Sequence, residues 1–147
     1  MACSLILLHT VSYGDKTLEE LDGEDWGAPE YPSRLVTNCH RLRRVPLKDF
    51  VIEDLRLMIG QQFSLEYLVP VALDRLEDDP FAEGDFYPGD LLNNVLGVSC
   101  AFWEQHPESL QRLEHIVEKA RAQIGARVED EEIEATLRTA LNAFGQA

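Results

Sequence analysis

Residues 64–79 read SLEYLVPVALDRLEDD. Leu65, Leu68, Val69, Ala72, Leu73 and Leu76 recur at spacings of three and four, which lines them along one broad stripe of an α-helix. A stripe of that width belongs in a core. Pro70 falls inside the pattern, where it removes one backbone hydrogen bond and predicts a bend.

Upstream, PLKDFVIEDLRLMIGQQF (46–63) has the spacing of another helix, with Leu55, Met58 and Ile59 as its apolar face. Asp49 is its candidate cap, and Gly60 marks its end or a close approach to a neighbour. SRLVTNCHRLRR (33–44) puts Leu35, Cys39 and Leu42 on one face and turns Arg34, Arg41 and Arg44 outward, with Pro46 closing the helix. Before it, residues 15–30 form an acidic loop or irregular arm with seven carboxylates and one lysine. That arm opens on TLEEL, where Thr17 and Glu20 have capping-box spacing and Gly23 and Gly27 break the turn. SLILLHTVSY (4–13) reads as a short strand or an irregular leader, so residues 1–16 stand apart from a helical domain over 17–147.

Downstream, DLLNNVLG (90–97) is a short helix with Pro88 at its first turn and the Asp90 charge at its favourable end. SCAFWEQHPE (99–108) is a short helix or turn carrying Phe102 and Trp103. LQRLEHIVEKARAQI (110–124) turns Leu113, Ile116 and Ala120 inward. EDEEIEATLRTALNAFG (129–145) does the same with Ile133, Leu137, Ala140, Leu141 and Phe144. No repeat and no dividing linker is present, so the expectation is one all-α domain of six or seven mostly short helices. At 147 residues, 45% of them apolar, such a chain buries roughly two thirds of its extended surface.

Charge narrows the function. With 27 acidic and 13 basic residues the formal net charge is −14, which disfavours nucleic acid and anionic membranes and suits a cationic protein partner. Cys3, Cys39 and Cys100 are widely spaced and odd in number, as in a reducing compartment. The apolar run near the N-terminus is too short to span a bilayer and lacks a basic flank, so a cytoplasmic protein is expected.

Specific chemistry finds little support. Cys39 and His40 are adjacent but point apart on a helix, and no second pair completes a metal set. Glu83, Asp85 and Asp90 lack the twelve-residue alternation of a calcium loop. His9, His40, His106 and His115 are scattered, and neither a nucleophile elbow nor a phosphate-binding glycine loop is present. Asp85 and Asp90 would serve hydrolysis only around a cleft the sequence does not announce. No enzyme, cofactor or metal is therefore expected. The most structured polar segment is DDPFAEGDFYPGDLL (78–92), where Phe81, Phe86 and Tyr87 are expected to pin a turn that holds its carboxylates in place.

Residues 17–120 resemble the contact-dependent growth inhibition (CDI) immunity proteins. The resemblance lies in TLEELDGEDWG from Thr17, CHRLRRVPLKDF from Cys39, EDLRLMIGQQFSLEYLVPVAL from Glu53, DPFAEGDFYPGDLL from Asp79 and FWEQHPESLQRLE from Phe102, in that order. It does not extend to residues 1–16 or to the tail beyond Ala122. It implies a non-catalytic antitoxin of the bacterial cytoplasm that binds the C-terminal toxin domain of a cognate CDI effector, a domain that in many systems is a basic nuclease. The partner-binding residues expected on that basis are Asp22, Glu24, Asp25 and Trp26 in the arm, and Asp78, Asp79, Glu83, Asp85, Tyr87 and Asp90 in the loop. Trp26 has an alternative role in closing the domain's own core. The alternatives in function are a small acidic regulatory or scaffold module that binds another protein and, further off, a hydrolase.

Overall fold

The computed structural model describes residues 12–28 and 33–144. Eight α-helices run through them: α1 Leu18–Asp22, α2 Arg34–Leu42, α3 Ile52–Gly60, α4 Leu65–Asp78, α5 Asp90–Leu96, α6 Cys100–Gln105, α7 Pro107–Arg127 and α8 Glu131–Phe144. A 3-10 turn, Leu47–Asp49, joins α2 to α3. Among the described residues there is one isolated antiparallel bridge, Glu83 to Pro88, and no strand. The all-α expectation is borne out, with α1 as the extra helix. The strand or leader expected over 4–13 lies almost wholly outside the described residues.

The helix α4 is the centre of the molecule. Leu68, Val69, Ala72, Leu73 and Leu76 are fully buried and Val71 nearly so. It packs against α3 on one side and α7 on another, and α5 fills the space between α3, α4 and α8. Pro70 is accommodated within the continuous helix Leu65–Asp78. Tyr13 ties the start of the described chain to this element: its hydroxyl donates to the Tyr67 carbonyl at 2.7 Å and its ring meets Tyr67 edge-on at 5.8 Å. Burial in this contact, reinforced by Asp74, pushes the Tyr13 phenol up to about 12.

Local signals account for most boundaries. Thr17 Oγ1 accepts from the Glu20 N–H while Glu20 accepts from the Thr17 N–H, completing the capping box expected for α1. Asp130 Oδ1 accepts from the N–H groups of Glu132 and Ile133 at the head of α8. Pro107 opens α7, where its missing N–H costs nothing.

Four local expectations are corrected. Asp49 ends the 3-10 turn, and Asp54 caps α3 instead by accepting from the Val51 N–H at 3.0 Å. Helix α2 ends at Leu42, before Pro46 can act, and Pro46 leads into the 3-10 turn. Gly89 occupies the N-cap of α5, so Pro88 lies just outside the helix. Leu35 is 38% exposed, because α2 is buried through its later residues Cys39 and Leu42 rather than its first turn.

Candidate protein-binding surface

The loop between α4 and α5 is built around a buried carboxylate. Asp90 is 2% exposed and sits in the first turn of α5, where a negative charge is favoured. Its Oδ1 accepts from the Gly84 N–H at 2.7 Å, and its Oδ2 accepts from the N–H groups of Phe86 at 3.1 Å and Tyr87 at 3.5 Å. One side chain therefore sets the path of residues 84–87. A second carboxylate holds the same loop from α3: Glu53 Oε1 accepts from the Asp85 N–H at 2.9 Å. Glu53 is itself gripped by both forks of Arg56, each at 2.6 Å, and this pairing holds its carboxyl below the usual range.

Two glycines let the backbone come this close. A Cβ on Gly84 would stand 2.6 Å from Glu53 Oε1 and 3.0 Å from Asp90 Oδ2. Gly89 has φ +90° and would bring a Cβ to 2.9 Å from a Leu137 methyl. The loop is thus clamped between α3 and α8.

The three aromatics divide. Phe81 is buried, and Tyr87 is half-buried, its hydroxyl accepting from Asn93 Nδ2 at 2.8 Å. Phe86 is not the anchor the sequence led us to expect. It is 66% exposed, because the turn aims residue 86 away from the body, and it rests one ring face under the Arg56 guanidinium at 4.3 Å.

The carboxylates divide as well. Asp79 accepts from the Phe81 N–H at 3.0 Å and pairs with Arg127 at 2.9 Å; the Arg127 hydrogen bond depresses its pKa. Asp78, Glu83 and Asp85 are exposed and form no ion pair among the described residues. They remain available to a partner, whereas Asp79 and Asp90 are committed to the loop's own structure.

The arm shows the same division. Arg43, the C-cap residue of α2, is 1% exposed, donates to Asp22 Oδ1 at 2.6 Å and to the Glu24 carbonyl at 2.9 Å, and leaves its Nε without a partner among the described residues. Burial opposes ionisation of Asp22, but the Arg43 hydrogen bond and the Glu24 N–H outweigh it and keep the pKa low. Asp25 accepts from the Gly27 N–H at 2.7 Å and reaches Arg44 at 3.5 Å. Trp26 is half-buried. Its ring meets Phe63 at 5.4 Å and His40 at 5.2 Å, and the Arg43 guanidinium lies 4.6 Å from its centroid. Of the expected arm residues, Glu24 alone keeps a carboxylate without an ion pair among the described residues.

The described histidines, His40, His106 and His115, are engaged locally, and His9 lies outside the described residues. His40 Nδ1 lies 3.1 Å from the Gly27 carbonyl, and His106 stacks on Phe102 at 4.1 Å with Nδ1 2.9 Å from that residue's carbonyl. His115 Nδ1 lies 3.0 Å from the Gln111 carbonyl. Among the described residues no three His, Cys, Asp or Glu side chains gather as a metal site requires, and no helix is long and apolar enough to cross a membrane. A groove of about 740 Å³ opens among α5, α6, α7 and α8, with Trp103, Leu110 and Phe144 in its lining.

The loop is marked in the sequence, but the residues that hold its backbone and that of the arm are not all marked there. Glu53 and Arg56 carry a visible signal, an acid and a base three apart on one helix. Arg43 carries none, since nothing in a run of arginines marks the one that is buried.

No curated protein and no solved structure matches the chain. A family match does: residues 20–113, well over half of the sequence, fit the pattern of the CDI immunity proteins and span most of the arm, the loop and α2 through α6, but not α8. The chain belongs to the family of CDI immunity proteins.

Proposed function

We propose that this protein acts in the bacterial cytoplasm as an antitoxin, binding the C-terminal toxin domain of a cognate CDI effector and blocking it without turnover. Membership of the immunity family supports the class of function. The observation that carries the choice of surface is the loop at 78–90, whose backbone is fixed by the Asp90 and Glu53 carboxylates before any partner arrives. A loop already ordered loses less entropy on binding.

In this reading Asp78, Glu83, Asp85 and Glu24 meet cations of the toxin directly. Asp22, Asp25, Asp79 and Asp90 shape the surface from behind, and Trp26 and Tyr87 set the positions of the arm and the loop. The net charge of −14 fits a basic toxin such as a nuclease, whose substrate-binding face is itself cationic. Growth rescue tests the function: cells expressing the toxin domain of the effector encoded immediately upstream should survive only when this chain is co-expressed. Continued growth arrest with the chain present at high level would refute the antitoxin role.

A further inference from the structure

We infer that Phe86 is the apolar anchor of the toxin contact, and that the toxin meets it with an apolar notch rimmed by lysine or arginine. The inference rests on the antitoxin reading above. Among the described residues the large exposed apolar side chains are Leu35, Val51 and Phe86, and Phe86 is the most exposed at 66%. Exposure alone would say little. What distinguishes Phe86 is how firmly it is held there.

Its N–H is bound by the buried Asp90, the neighbouring Asp85 N–H is bound by Glu53, and one ring face is covered by Arg56. Arg56 is itself immobilised by the two bonds to Glu53, so the ring rests on a fixed support and turns its other face to solvent. Aromatic anchors presented in a preset position are the residues on which interface energy concentrates. Val51, 57% exposed, stands at the N-cap position of α3, two residues before Glu53.

Charge selects the partner. The guanidinium under Phe86 is matched by the Glu53 carboxylate, so it does not make the patch cationic. The carboxylates flanking the loop tip that form no ion pair among the described residues are Glu83 and Asp85, both exposed. An apolar side chain with such carboxylates beside it in the loop fits a notch edged with cations, and the carboxylates repel an acidic or nucleic-acid surface. Arg56 acts as a positioning residue for the ring.

Titration calorimetry of the full chain against the toxin domain tests this with two variants, Phe86→Ala and, as a control, Leu35→Ala in the first turn of α2. The expected result is a rise in Kd of roughly 30-fold or more for Phe86→Ala and less than about 2-fold for Leu35→Ala. Circular dichroism and the urea midpoint should match the parent in both. Parent binding with an unchanged Kd for Phe86→Ala overturns the anchor and leaves the antitoxin reading standing. Equal weakening by both variants also overturns it, by showing a diffuse effect. Absence of binding by the parent overturns the antitoxin reading, and the anchor with it.

Discussion

Replacing Asp90 with asparagine keeps the size and shape of the side chain but removes one acceptor oxygen and introduces a donor. In the protein, two oxygens receive three backbone N–H groups at 2.7, 3.1 and 3.5 Å. The amide can turn its remaining oxygen toward Gly84 or toward the Phe86 and Tyr87 pair, never both. The side left over sets an –NH2 against an N–H inside a site that is 2% exposed. A hydrogen bond to a charged acceptor contributes about 1.5–3 kcal/mol, and the lost charge at the head of α5 adds about 0.3–1 kcal/mol. The expected loss is therefore about 2–4 kcal/mol. With a urea dependence of about 2 kcal/mol per molar for a small domain, the unfolding midpoint should fall by roughly 1–2 M. Urea denaturation followed by circular dichroism reads this directly. A shift below about 0.3 M would refute the reasoning, because the loop would then hold its path without the buried carboxylate.

Two further perturbations probe the supports of this surface. Arg43→Met removes the bonds to Asp22 and to the Glu24 carbonyl but also the unpartnered Nε, so the loss should be about 1–3 kcal/mol, with a shift in Trp26 fluorescence as the guanidinium leaves its ring; unchanged emission would show that Arg43 does not order the arm. Glu53 has its carboxyl pKa lowered by the Arg56 hydrogen bond, so its stabilising effect is present above its ordinary value of 4.5 and is lost as pH falls through the lowered folded value. The stability gap between the parent and Glu53→Gln, measured by urea midpoints, should therefore be widest above pH 4.5 and narrow as pH falls below it; a gap independent of pH would contradict the pairing.

Much of the fold was legible because it rests on periodicity. The stripe of α4 from Leu65 to Leu76, the capping box at Thr17 and the inward face of α8 are local patterns, and each follows from residues a few positions apart. The errors arose where tertiary contacts decide. Leu35 has the right spacing for burial yet lies on a turn of α2 that packs against little, and Asp49 lost the capping role to Asp54 because the chain first makes a 3-10 turn.

The candidate surface shows the same limit more sharply. The sequence marks Phe81, Phe86 and Tyr87 alike, and only tertiary contacts separate them: Phe81, its N–H held by Asp79, enters the core, while the turn set by Asp90 faces Phe86 out. Likewise the carboxylates look equivalent as letters. Contacts from helices distant in sequence, Arg43 to Asp22 and Arg127 to Asp79, separate those that shape the surface from those left for a partner.

The most direct test of the account is calorimetric titration of the purified chain with the C-terminal domain of the effector encoded beside it. The account predicts saturable binding with Kd in the nanomolar range or below, and weakening of at least tenfold when Glu83 and Asp85 are both changed to lysine in a chain whose circular dichroism is unaltered. No heat of binding, or full affinity in the doubly reversed chain, would contradict it.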